Sequence, residues 1–266
     1  MFYWQERIEP SGTAYGVVWG ITDRQGGSSE GAYASLNLGR HVGDNDEAVM
    51  TNRHRLAHEL GLRLPDLRFM DQQHGAEVAT TPATSSRRAD SHVVDLPQRA
   101  DSEVAPSVDG LISGSPDEAL VVMVADCVPV LLVDRREGLV AAVHAGRPGM
   151  VAGVVPATLD RLAELGARDL EAIVGPSVCG RCYEVPEEMR AAAAAVEPAS
   201  AAVTWQGTPA IDVASGVISQ LSRAGVAVRW LPGCSREHPD LYSYRGEGST
   251  GRFAGVVRLL APERAA

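Results

Sequence analysis

Three residues offer the most chemistry: His74, Cys127 and His144. Cys127 follows Asp126 where a long apolar run gives way to a turn, and His144 closes the next apolar run, just before Ala145-Gly146. Neighbouring strand ends can bring these two side chains together across the 17 positions that separate them. His74, in the polar turn Gln72-Gln73-His74-Gly75-Ala76, can complete the set. One thiolate and two imidazoles suit zinc, and three protein ligands leave a fourth position open to water or substrate. The same residue types also occur as an inert buried cysteine beside two ordinary turn histidines. On the residues alone, both readings stand.

Other groups carry less. Cys179-Gly180-Arg181-Cys182 has the C-x-x-C spacing of redox and zinc sites, but no matching second pair follows and Cys234 lies about 50 residues further on. Neutral loop thiols are the expectation there. His54 and His58 stand at i and i+4 on a helical stretch without the glutamate of H-E-x-x-H, which reads as a surface pair. The glycine-rich pieces GGSSEG, GDN and HAGRPG can turn backbone N–H groups toward an anion, yet none matches a dinucleotide or P-loop pattern. Arg24, Arg147 and Arg245 sit among turn residues, able to hold a phosphate or carboxylate or simply to support the fold.

The elements that must position these residues are short and mixed. Strands are expected at 14–21, 67–70, 77–79, 108–113, 120–125, 130–134, 139–144, 170–174, 226–231 and 252–260, the last with a bulge at Gly255. Helices are expected at 46–60, capped by Asp44 and burying Val49, Leu56 and Leu60, and at 151–165, 186–196 and 212–224. The stretch 80–106, rich in Thr, Ser, Pro and Asp, reads as a surface loop with a possible edge strand at 91–96. Several strands follow one another without an intervening helix. The expected class is therefore α+β: a mixed sheet or pair of sheets with flanking helices. No composition break divides the 266 residues, so one domain over 1–266 is expected.

Composition narrows the function classes. Apolar residues make up 45% of the chain but aromatics only 5%, so the core must be aliphatic. Twenty-four basic against 34 acidic residues give a net charge of -10, which disfavours non-specific nucleic-acid binding. Four cysteines suit a reducing compartment rather than a disulfide scaffold. The opening MFYWQERIEP lacks a basic segment followed by an apolar run, and the stretch 119–133 is too short to span a bilayer. A cytoplasmic protein without membrane association is expected, as a monomer or weak dimer.

Taken in order, several stretches resemble the laccase-domain, or multicopper polyphenol oxidase-like, family. They are TDRQGGSSEGAYASLNLGRHVGDN (22–45), Asn52-Arg53, QQHGAEV (72–78), VDGLIS (108–113), VADCVPVLLVD (124–134), AAVHAGRPG (141–149), VGPSVCGRCYEV (174–185) and LYSYRGEGSTGRFAG (241–255). The resemblance spans nearly the whole chain. It implies zinc ligands at His74, Cys127 and His144, and a mixed β-sheet sandwich related to the cytotoxic-necrotizing-factor-like cysteine hydrolase fold. It also implies phosphorolysis of adenosine, inosine and methylthioadenosine, together with adenosine deamination. Purine nucleosides and phosphate are then the small-molecule partners. The older copper label fits poorly, because one Cys/His set cannot supply several copper centres.

On that resemblance, the open zinc position would orient phosphate or water. Asp126 is a candidate for orienting a ligand or moving a proton, and His41 for touching substrate or phosphate. Arg24, Arg147, Arg245 and Asn37 are candidates for holding phosphate or substrate, and Tyr183 and Tyr244 for lining the pocket. Two motifs depart from the family. His-Ala-Gly-Trp-Arg-Gly becomes His144-Ala145-Gly146-Arg147-Pro148-Gly149, and Ser-Tyr-Arg-Arg becomes Ser243-Tyr244-Arg245-Gly246. Both changes fall on the phosphate contacts and leave the triad whole. Two alternatives compete: a cysteine hydrolase or amidase editing peptidoglycan precursors, with Cys127 as nucleophile and His144 as base, and a non-enzymatic, metal-stabilised partner protein.

Overall fold

The structure, a computed structural model, describes residues 1–82 and 105–262. In chain order its elements are strands β1 (Phe2–Ile8) and β2 (Gly16–Thr22), helix α1 (Asp46–Glu59), and strands β3 (Leu67–Phe69), β4 (Val78–Thr80), β5 (Gly110–Ser113), β6 (Ala119–Val124), β7 (Val128–Asp134) and β8 (Leu139–Ala145). Helices α2 (Arg147–Ala152) and α3 (Val154–Glu164), strand β9 (Glu171–Val174) and helix α4 (Glu187–Val196) follow. Strands β10 (Ala201–Val203) and β11 (Pro209–Ile211), helix α5 (Val213–Arg223), strand β12 (Ala227–Trp230), the short helix α6 (Tyr244–Glu247) and strand β13 (Phe253–Leu260) complete it.

The strands form two mixed sheets and a small hairpin. The first sheet runs β1-β2-β13-β6-β3, the second β12-β9-β7-β8-β5-β4, and β10 pairs with β11. Side chains in a strand alternate between faces, and the core obeys that period. Leu131 and Val133 join Leu120, Val122, Trp19, Phe253 and Val257 between the two sheets. Val130 and Leu132 point the other way, onto Val155 and Leu159 of α3 and Val217 and Leu221 of α5. On the outer face of the first sheet, Val121 and Val256 pack against Leu56 and Ala57 of α1. Helix, sheet, sheet and helices thus stack in four layers. Strands covered on both faces must be apolar throughout, which is why every residue of β6, β7 and β8 is buried.

Several expectations are corrected. The N-cap of α1 is Asn45, whose side chain accepts from Ala48 N–H at 3.1 Å. Asp44 instead accepts from the Asn37 side chain at 2.9 Å. The helix expected at 151–165 is broken into α2 and α3 at Gly153, where φ is +87°. Gly255 makes no bulge: the β13 register runs continuously past it to both Ile21 and Val122. Its missing Cβ serves close packing, since one would come within 3.0 Å of Val122 and 3.2 Å of Pro129 and Leu131. The sequence reading missed β1, which is half exposed and lacks a clean apolar face, and the hairpin β10-β11. The possible edge strand at 91–96 lies outside the described residues. His54 and His58 are exposed on α1, as expected.

Candidate metal centre

The chain crosses between the two sheets from β3 to β4 and again from β6 to β7, and each crossing carries a donor. His74 lies on the first and Cys127 on the second, while His144 is the penultimate residue of β8. The ligand atoms of His74, Cys127 and His144 all lie within 4.8 Å of one another. Cys127 Sγ is 3.8 Å from His74 Nε2, and the two imidazoles meet edge to face with centroids 4.7 Å apart. His144 is buried, Cys127 half-buried and His74 exposed, so the set opens to solvent on the His74 side.

Asp109 organises this arrangement. Its carboxylate, fully buried just before β5, accepts backbone N–H groups from His74 at 2.9 Å and Gly75 at 2.7 Å, and from Gln73 at 3.2 Å. The same carboxylate lies 2.7 Å from His144 Nδ1. That bond fixes the imidazole so that Nε2 faces the other donors, the usual support for a metal-bound histidine. Burial opposes ionisation of Asp109, but the His144 ring and the Gly75 and His74 N–H groups outweigh it and hold the carboxyl below its ordinary range. One carboxylate therefore sets both the ring of His144 and the loop that presents His74. Gln72 anchors that loop to β6, its side chain bonding to the Met123 carbonyl at 2.7 Å and the Met123 N–H at 2.9 Å. His74 sits in the left-handed region with φ +60°.

The electrostatics tie the thiol and imidazole together. Burial pushes the Cys127 thiol up, but His144 and His74 prevail and bring it down to about 6. Burial likewise pulls His144 down, while the Cys127 thiolate and Asp109 raise it to about 9. Without a metal, the pair is a thiolate–imidazolium pair near neutrality. Space is tight: a Cβ on Gly146 would come within 3.0 Å of both Cys127 Sγ and His74 Cδ2. The donor set of one sulfur and two ring nitrogens fits a zinc ion with three protein ligands.

The other sequence candidates fall into two groups. Arg147 opens α2 directly beyond Gly146, with Pro148 in the first turn where a missing N–H is harmless. Its Nε is buried without a hydrogen-bond partner among the described residues. His41 lies on a turn where desolvation and the charges of Arg252 and Arg53 hold its ring below the ordinary value, and where His144 is also felt. Arg245 lies 4.8 Å from the centroid of the Tyr183 ring, and Tyr244 is exposed at the start of α6.

Three candidates have their polar atoms engaged in the scaffold. Asp126, at φ +95°, accepts from Ser235 and Ser243 hydroxyls at 2.7 and 2.6 Å and from the Arg245 N–H at 2.5 Å. Arg24 donates to the Ala34 carbonyl and to Glu247 and lies over the Tyr242 ring. Asn37 is fully buried, bonded to Gly39, Asp44 and the Arg252 N–H. Sequence reasoning missed Asp109 and Arg252. Asp109 stood inside the quoted VDGLIS stretch, and its position before a glycine at a strand start was the available signal. Arg252 is partly desolvated, which lowers its proton affinity, while Cys127 and Asp126 raise it. Its charge is therefore felt at the centre.

A two-sheet α+β fold with a Cys/His2 cluster where the chain passes between sheets defines the class of protein. The chain belongs to the multi-copper polyphenol oxidoreductase laccase family, whose model matches residues 18–260. It is 50% identical over 250 residues to a Streptomyces coelicolor protein named purine nucleoside phosphorylase, covering 93% of this chain and 97% of that one. A Streptomyces griseus protein of the same name is 46% identical over 259 residues, with 96% and 98% covered. The crystal structure of a Neisseria meningitidis protein matches with TM-score 0.77 at 30% identity, covering 97% of this chain and 99% of that one. YlmD from Geobacillus stearothermophilus matches with TM-score 0.76 at 28% identity, covering 96% and 99%.

Proposed function

We propose that this chain is a zinc-dependent purine nucleoside phosphorylase acting on adenosine, inosine and methylthioadenosine, with adenosine deamination as a second reaction. The observation that carries the reading is the convergence of His74, Cys127 and His144, open on one side and braced by buried Asp109. The names of relatives up to 50% identical support the substrate class. Zinc held by those three residues would supply Lewis acidity and a site for an oxygen ligand. A single Cys/His2 set suits zinc better than multicopper oxidation.

In phosphorolysis a phosphate oxygen bonds to C1′ of the ribose as the C1′–N9 bond breaks and the purine leaves with the electron pair. The chain's task is to hold an anion at the open side. Arg147, with its unpartnered buried Nε, and Arg252 are the residues for that, with His41 at the rim. In deamination water adds to C6 of adenine and ammonia leaves. Tyr183, with Arg245 against its ring, offers a flat surface for the base. Among the described residues no helix is long and apolar enough to cross a membrane.

The test follows adenosine and inosine with zinc-loaded protein, with and without phosphate, separating the products by chromatography. Phosphate-dependent adenine or hypoxanthine is expected, abolished in Cys127→Ala. In Arg147→Ala the KM for phosphate should rise about ten- to a hundred-fold, the worth of one charge-assisted hydrogen bond. The series Cys127–His144–Asp109 also has the makings of a thiol nucleophile, base and orienting acid, consistent with the cysteine hydrolase kinship expected from sequence. If no nucleoside product forms on stoichiometrically zinc-loaded protein, amide hydrolysis of peptidoglycan precursors replaces the phosphorylase reading.

A further inference from the structure

A second set of metal-type donors lies where the loops after β9 and β12 meet. The three sulfurs of Cys179, Cys182 and Cys234 and a carboxylate oxygen of Glu237 all lie within 4.8 Å of one another. All three cysteines are free thiols. The first pair sits on a tight turn in which the Cys182 and Tyr183 N–H groups both donate to the Cys179 carbonyl, at 2.9 and 3.0 Å. The second pair has the same form: the Cys234 carbonyl accepts from Glu237 and His238 N–H groups at 3.1 and 2.9 Å. Each turn folds residues i and i+3 onto one side, so C-x-x-C faces C-x-x-E. The turns are joined by a bridge between Ser177 and Cys234, by the Ser235 N–H to the Ser177 carbonyl at 3.0 Å, and by the Cys179 N–H to Cys234 Sγ at 3.5 Å.

We propose that Cys179, Cys182, Cys234 and Glu237 bind a second divalent metal ion, zinc by the softness of three thiolates, in a closed structural site. Four converging donors match the four-coordinate structural sites of zinc, whereas a disulfide would use two sulfurs and leave the third beside an unused carboxylate. Binding takes up one Zn2+ and releases three thiol protons to solvent; with the carboxylate already ionised, the complex carries a net charge of 2-. Arg236, donating to the Cys182 carbonyl at 3.3 Å, stands beside that charge. One hydrogen bond links the two clusters: Ser235, next to Cys234, donates to the carboxylate of Asp126, the neighbour of Cys127, at 2.7 Å.

Zinc content of the purified full chain, kept reduced and freed of loose metal on a chelating resin, tests this. Two zinc ions per chain are expected for the wild type, and one for the double variant Cys127→Ala/His144→Ala. Cobalt added to that variant should give sulfur-to-metal charge-transfer absorption in the near ultraviolet. In Glu237→Gln, an exposed position where misfolding is not a concern, chelator competition should show at least a tenfold weaker second ion. A wild type that saturates at one zinc, held no more weakly in Glu237→Gln, overturns the proposal, even if the double variant fails to fold. So does a folded double variant that binds neither zinc nor cobalt, or a two-dalton mass loss mapped to a disulfide among these three cysteines in the metal-loaded protein.

Discussion

The two donor clusters differ in how they are built. At the first, His74, Cys127 and His144 come from three separate crossings and strand ends, and a buried carboxylate outside the set orients them. At the second, two local turns each present a pair of donors, and the parallel pairing of β9 with β12 brings the turns together. The first leaves an exposed edge at His74; the second offers a full set of four. Chemistry needs an open coordination position, and an open position needs outside support to keep its geometry. A closed site carries its geometry in its own ligands.

That contrast is most sharply broken at Asp109. Asp109→Asn should weaken metal binding at the first centre about ten- to a hundred-fold, read by chelator competition, while the Cys179 cluster keeps its ion. Equal loss at both sites would mean that the carboxylate supports the whole fold and not one centre. A second effect concerns the thiol. In metal-free protein Cys127 is a thiolate above about 6, because the nearby imidazoles outweigh its burial. Alkylation by iodoacetamide, followed by peptide mapping, should therefore rise with pH through a midpoint near 6 and level off well above it. In His144→Ala the midpoint should climb by roughly two units toward the ordinary thiol range. An unchanged midpoint would detach the thiol from His144. The smallest effect lies far from both clusters. Asn45→Ala removes the cap of α1 and should cost about 1 kcal/mol of stability, measured by urea denaturation, with the metal content of both clusters intact.

Much of this was legible in the chain and some was not, for physical reasons. Cys127 and His144 could be read because each ends an apolar run, and a strand buried on both faces leaves such a run in the sequence. The buried face of α1, through Val49, Leu56 and Leu60, was legible for the same reason. Asp109 was not, since an aspartate before glycine looks like any turn residue until its four hydrogen bonds are seen. Cys234 looked solitary because its meeting with Cys179 and Cys182 depends on β9 and β12 being parallel neighbours, a pairing that no local pattern encodes. Arg24 reads differently in the structure. Arg24 has the composition of an anion site, yet its guanidinium is held by Glu247, Ala34 and Tyr242.

The two crossings between sheets have a further consequence. His74 and Cys127 ride on the segments that step from the first sheet to the second, so their separation depends on how the two layers are docked. A ligand that bridges them and binds the docked form better than an open one adds to the cohesion of the sandwich as its free concentration rises. The mouth of the site is thus also a rivet between layers. Mechanical resistance to sliding of one sheet over the other would then track metal supply, as an environmental variable written into the stiffness of the molecule.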